Sequence, residues 1–111
     1  MLAQEHVSRG RYFVVKALRT DRRIARLGII AARKAIRRAV DRNACKRIVR
    51  EAFREHLTDL AGLDVVVVCR MAVLGSARKL ARRELDTLLL RLTTGETRRV
   101  GRGTGTSQAQ D

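Results

Sequence analysis

The sequence has few or none of several residue types, and each shortage argues against a class of protein. Among 111 residues there are no prolines, no tryptophans and only two cysteines. A disulfide framework is therefore not expected, and Cys45 and Cys69 are interpreted as small buried hydrophobic residues. Together with His6 and His56 they match no known metal-binding spacing. We expect no metal site in the protein.

Long hydrophobic runs are also missing. No stretch approaches the roughly 18 apolar residues that a membrane-spanning helix requires. The first residues, Met1–His6, include an acid and lack the apolar stretch of a secretory signal. These observations predict a cytoplasmic protein with no membrane contact.

Acidic and aromatic residues are scarce, which argues against two kinds of nucleic-acid chemistry. A protein nuclease needs clustered carboxylates for metal ions or a His/Lys acid–base pair, whereas the eleven acids here are scattered. We therefore predict no catalytic residue and no small-molecule substrate. The aromatic side chains are Tyr12, Phe13 and Phe53, too few for a surface on which successive bases stack.

Positive charge is what the chain has in abundance. Lysine and arginine number 25, which gives a formal net charge of +14 and an isoelectric point near 11.6. A single domain with this imbalance repels itself unless it meets phosphates or an anionic membrane. With no membrane contact expected, a nucleic acid is the predicted partner.

Hydrophobic periodicity predicts three strands. Residues 11–18 alternate, which places Phe13, Val15 and Ala17 on one face and Lys16 on the wetter one. Residues 26–32 form the second strand and a hairpin partner of the first. Residues 64–70 are continuously apolar, as in a strand covered on both faces. Residues 1–10 are short and polar, with nothing to fix a structure.

Two helices complete the pattern. The first starts near Asp41, capped by Asp41 or Asn43, and fades before Gly62. The last is capped by Ser76. Its predicted core stripe consists of Leu80, Ala81, Leu85, Leu88, Leu89 and Leu92. The order β, β, α, β, α predicts one α/β (α+β) domain over 11–92, in which helices pack on a mixed sheet. Residues 93–111 are predicted to be a disordered tail.

The first helix separates its charges from its apolar residues. At about 100° per residue, an arc of roughly 140° contains almost only cations. This basic arc consists of Arg42, Asn43, Lys46, Arg47, Arg50 and Arg54. Like charges four residues apart destabilise a helix, so a bound polyanion should compensate. Glu51 is expected to pair with a neighbouring arginine, and Phe53 to belong to the core. The preceding loop adds Arg33, Lys34, Arg37 and Arg38.

These residues resemble the bacterial ribonuclease P protein subunit. The resemblance rests on Arg26-Leu-Gly-Ile, on the basic loop, and on a helical pattern consisting of Arg42, Asn43, Lys46, Arg47, Arg50, Glu51, Phe53 and Arg54. It implies a subunit of an endoribonuclease that assembles with a large catalytic RNA and helps it remove the 5′ leader of precursor tRNA. The cleavage chemistry is implied to lie in the RNA with Mg²⁺. A left-handed β-α-β crossover is implied as well.

The chain departs from that family at two places. Ala44 stands where the family usually has an arginine, so one phosphate contact should be lost. The family's aromatic N-terminal helix has no counterpart here, and we expect the natural start to lie upstream of Met1. Without such a segment, Tyr12 and Lys16 would supply what leader contact remains. The alternative function is a structured-RNA-binding protein of the ribosomal type, with no role in catalysis.

Overall fold

A computed structural model describes residues 5–94, which contain four strands and two helices. The elements are β1 (Glu5–Arg9), β2 (Phe13–Arg19), β3 (Arg26–Ile30), α1 (Ala39–Glu55), β4 (Leu63–Cys69) and α2 (Arg78–Thr94), with a 3-10 turn at Gly75–Ala77 before α2. Within these residues neither helix is long and apolar enough to cross a bilayer.

The sheet is mixed, with strand order β1-β2-β4-β3. β1 and β4 both pair antiparallel with β2, whereas β3 pairs parallel with β4 across the α1 connection. The predicted hairpin between residues 11–18 and 26–32, which correspond to β2 and β3, is therefore wrong. The valine-rich β4 occupies the place beside β2, where both of its edges are paired, and β3 lies at the edge of the sheet. The mixed α+β architecture is confirmed, and the left hand of the crossover stays a prediction.

Both helices pack on one face of the sheet. This core includes Phe13, Val15, Val65 and Val67 from the strands, Cys45, Val49 and Ala52 from α1, and Leu85 and Leu89 from α2. The opposite face of the sheet is only partly covered, because Val66 and Val68 alternate with the buried residues of β4 and remain half-buried. Within residues 5–94, the expectation that β4 is covered on both faces is therefore wrong. Valine favours a pleated, half-buried surface, so a continuous valine run does not require double coverage.

The prediction that nothing fixes the structure of residues 1–10 is wrong for Glu5–Arg9, which form β1. β1 pairs with β2 from Glu5 opposite Leu18 to Arg9 opposite Val14. The polar side chains of His6 and Ser8 alternate inward and are buried. Pairing with β2 and packing against α2 hold this strand in place. Apolar alternation does not reveal it, because its inward side chains are polar.

Helix boundaries also differ from the prediction. α1 begins at Ala39, with Arg38 at its N-cap position and no side-chain cap, so neither Asp41 nor Asn43 caps it. Ser76 lies inside the 3-10 turn, and Leu80 is 59% exposed and is not part of the core. α2 continues through Thr94, two residues into the predicted tail. The remainder of that tail, 95–111, lies outside the described residues.

Candidate nucleic-acid interface

The basic arc of α1 points away from the sheet. On the other side of the helix, Cys45, Ile48, Val49 and Ala52 are buried. Within the arc, Asn43, Arg47, Arg50 and Arg54 are exposed, while Arg42 and Lys46 are half-buried. The helical period thus separates core and charge as predicted.

The basic loop is held against the start of α1. Ile36 is 1% exposed and anchors the loop in the core. Arg42 Nη1 donates hydrogen bonds of 3.0 Å to the Ile36 carbonyl and 2.9 Å to the Arg37 carbonyl. Arg42 therefore has a structural role in addition to its predicted one. Loop and arc form one surface, the α1 basic surface, which consists of Arg33, Lys34, Arg37, Arg38, Arg42, Asn43, Lys46, Arg47, Arg50 and Arg54.

No carboxylate neutralises this surface within residues 5–94. The ion pairs there connect Arg82 with Glu55 at 2.6 Å and with Asp86 at 3.1 Å, and His56 Nε2 lies 3.1 Å from Asp86 Oδ1. Glu51 makes no ion pair in this part of the chain, so its predicted pairing with an arginine is wrong. The cations of α1 are left available to an external polyanion.

Arg82 connects the two helices behind this surface. Burial alone would disfavour its charge, but the hydrogen bond and charge of Asp86, together with Glu55, outweigh it and raise the pKa of Arg82. Because Glu55 lies on α1 and Arg82 on α2, the pair connects the end of α1 to α2. The helix that carries the α1 basic surface thus has an ion pair to α2 at its C-terminal end.

Three residues with alternative interpretations belong to the core. Phe53 is half-buried and packs against the core cluster, as predicted. Cys45 and Cys69 are free and buried, which confirms their interpretation as small hydrophobic residues. Burial raises the pKa of the Cys45 thiol, and it raises the pKa of Cys69 to about 12. Among residues 5–94 no group of three or more His, Cys, Asp or Glu side chains could hold a metal ion.

Tyr12 and Lys16 lie apart from the α1 basic surface. Lys16 is exposed on the sheet face that the helices leave open, with Val7 and Val66 as its register partners. Tyr12 is half-buried beside the β1–β2 turn, and the guanidinium of Arg11 lies 5.9 Å from its ring centroid. Lys16 therefore lies on the sheet face that the helices leave open, whereas Tyr12 packs against the core cluster.

Sequence reasoning missed a second group of cations. Arg78, Lys79, Arg82 and Arg83 line a groove between α2 and α1. The sequence does contain a signal for them, because Arg78/Arg82 and Lys79/Arg83 are basic pairs spaced four residues apart on one helix. The leucine stripe of that helix indicates only its buried side. Recognising them as part of a surface also required the packing of α2 beside α1.

The fold and the surface together define a class: a two-layer α+β protein with a basic helix face that no carboxylate of residues 5–94 neutralises. The sequence model of the family described as Ribonuclease P matches residues 1–93. The chain belongs to the ribonuclease P protein family.

Relatives and solved structures agree with this assignment. A ribonuclease P protein component of Thioalkalivibrio sulfidiphilus is 50% identical over 70 residues, which cover 63% of this chain and 58% of the relative. The Marinomonas component is 43% identical over 61 residues, covering 55% of this chain and 46% of the relative. The chain thus spans about half the length of the curated relatives it matches.

Two solved structures share the fold. The RNase P protein of Staphylococcus aureus superimposes with a TM-score of 0.61 at 27% identity, covering 84% of this chain and 83% of the other. The RNase P protein of Thermotoga maritima, in complex with 1-(4-fluorophenyl)-2-thiourea, gives 0.57 at 30% identity, covering 80% and 83%.

Proposed function

We propose that this chain acts as the protein subunit of ribonuclease P, binding the catalytic RNA and assisting removal of the 5′ leader from precursor tRNA in the cytoplasm. The observation that carries the proposal is the α1 basic surface. It combines one helix face with the loop that Arg42 holds beside it. No described carboxylate competes for its cations. Family membership supports the same assignment.

In this proposal the cleavage chemistry belongs to the RNA with Mg²⁺, and the protein supplies charge and position. A formal charge of +14 replaces part of the counterion atmosphere that RNA helices need when they approach one another. The protein should therefore lower the Mg²⁺ concentration at which the RNA is active.

The substrate contact is proposed on the open face of the sheet. Lys16 is exposed near the middle of that face, and Tyr12 is half-buried beside the β1–β2 turn. A lysine neutralises one backbone phosphate, and a single stacked tyrosine is worth about 1–3 kcal/mol per base. If Tyr12 and Lys16 supply the whole leader contact, the preference for leader-bearing precursor over mature tRNA should be weak.

Reconstitution tests the proposed function. The RNase P RNA of the source organism is assayed for cleavage of precursor tRNA over a Mg²⁺ series, with and without the protein. The expected result is a lower Mg²⁺ requirement with the protein and no cleavage by the protein alone. RNA binding without any effect on cleavage would favour the structured-RNA-binding alternative. Cleavage by protein freed of RNA with ribonuclease would contradict the proposal.

A further inference from the structure

A groove runs between the two helices on the side away from the sheet. Its volume is about 510 Å³. One wall comes from α1 and the other from the start of α2. The lining consists of Ala44, Arg47, Ile48, Glu51, Arg78, Lys79, Arg82 and Arg83.

The walls of the groove carry an excess of positive charge. Arg47, Arg78, Lys79 and Arg83 are exposed, and none of them has an ion pair with another residue in 5–94. Arg82 differs from these four, because Glu55 and Asp86 hold its guanidinium. Glu51 is the single acid of the lining. Four free cations around one carboxylate leave the groove strongly positive.

The floor between these walls is small and apolar. It is formed by Ala44 and Ile48, and Ile48 is 9% exposed. Ala44 is the position at which the ribonuclease P resemblance implies an arginine. Here the short side chain leaves space between the walls, and three of the four free cations around it, Arg78, Lys79 and Arg83, come from α2.

The positions of the α2 cations are unfavourable for the isolated helix. The first turn of α2 contains no acid. Arg78 and Arg82, like Lys79 and Arg83, are four residues apart and repel one another. Arg78 and Lys79 also lie in the first turn, near the positive end of the helix dipole. A bound anion relieves the repulsion that Glu55 and Asp86, which hold Arg82 alone, leave uncompensated.

We propose that this groove binds the sugar–phosphate backbone of an RNA strand, so that the α1 basic surface continues across the groove onto α2. The inference rests on the proposed function, because the strand belongs to the RNA that α1 binds. Arg47 belongs to both surfaces and makes them continuous. That continuity favours a polymeric backbone over an isolated phosphate. Phosphates contact Arg47, Arg78, Lys79 and Arg83 at the rim, and a sugar faces the apolar floor.

Two double variants of equal charge test the groove. Arg78→Ala/Arg83→Ala removes two cations of the groove, whereas Arg22→Ala/Arg23→Ala removes two exposed cations from the β2–β3 connection. Affinity for the RNase P RNA is measured for the full chain over a salt series. The groove variant should lower the slope of log affinity against log salt by about two and weaken binding by roughly 10- to 100-fold near 0.1 M salt. The control should stay within about threefold of the wild type.

A second pair changes only the charge on the floor. Ala44→Glu and Ala44→Gln are matched in size and helix propensity. The carboxylate should weaken RNA binding about tenfold more than the amide does. Circular dichroism melting shows whether each variant is folded.

The outcomes separate this inference from the proposed function. If the wild type binds the RNA and the groove variants match it, the groove assignment is wrong while the α1 surface stands. Equal losses in the groove variant and its control would mean that total charge governs binding, which also overturns the assignment. Failure of the wild type to bind would overturn the proposed function itself.

Discussion

Arg42 donates a 3.0 Å hydrogen bond to the backbone carbonyl of Ile36, and this contact joins the basic loop to the helix that follows it. A second bond of 2.9 Å reaches the Arg37 carbonyl. The same guanidinium therefore organises the surface and contributes charge to it. Its remaining donors can still meet a phosphate, since a guanidinium has five N–H groups.

Arg42→Ala should therefore weaken RNA binding by more than the loss of one positive charge would. Arg50→Ala is the matched variant, because Arg50 is exposed and makes no hydrogen bond to the loop. We expect the Arg42 variant to bind RNase P RNA roughly tenfold more weakly than the Arg50 variant, about 1.4 kcal/mol. It should also be cleaved faster by trypsin within 33–38. Equal affinity and equal cleavage in the two variants would refute the anchoring role.

Gly10 and Glu84 should be coupled in stability. The Glu84 carboxylate accepts hydrogen bonds from the backbone N–H groups of Arg11, Tyr12 and Phe13, at 2.8, 2.8 and 2.9 Å. A Cβ at position 10 would overlap this anchored side chain. Gly10→Ala should lower the free energy of unfolding by about 1–3 kcal/mol. In a Glu84→Ala background, Gly10→Ala should lower the free energy of unfolding much less, because the side chain that it would overlap is absent.

Urea unfolding of the two single variants and the double variant measures this coupling. Strictly additive changes in the free energy of unfolding would show that the two positions are independent. RNA affinity of the folded variants should not change, since neither residue belongs to the α1 basic surface.

Thiol chemistry tests the buried cysteines. Burial raises the pKa of Cys69 to about 12 from 9.0, so the folded protein keeps this thiol neutral where the unfolded chain ionises. The stabilisation of the folded state that comes from the neutral Cys69 thiol is fully present below pH 9.0. It is lost progressively as the pH rises through about 12. At pH 8 a disulfide reagent should modify neither Cys45 nor Cys69 until urea unfolds the chain. Rapid modification of the native protein would contradict the packing of β4 under α1.

The pH dependence has its own control. Cys45→Ala/Cys69→Ala should lose less unfolding free energy between pH 8 and pH 10.5 than the wild type, although its stability at pH 8 is lower. An unchanged pH dependence would show that the thiols do not contribute to it.

What the sequence predicts here is mainly local. The position of the α1 basic surface follows from helical periodicity, because every buried residue of α1 lies on the predicted apolar side. The fold class follows from the order of elements. The pairing of β3 with β4 depends on contacts between distant residues, so the local pattern favoured a hairpin with β2 instead. β1 was missed because His6 and Ser8 are polar yet buried. The α1–α2 groove required the packing of two helices separated by a strand.

The salt dependence of RNA binding tests the central claim most directly. Affinity of the full chain for RNase P RNA is measured between 50 and 200 mM salt for the wild type and for Lys46→Ala, Arg47→Ala and Arg50→Ala. If the α1 basic surface neutralises about six phosphates, wild-type affinity should fall on the order of 10³-fold over this range, with duplex DNA slopes as the guide. Each variant should reduce the slope by about one unit. Variants that keep both the wild-type affinity and the wild-type slope would show that the RNA binds elsewhere.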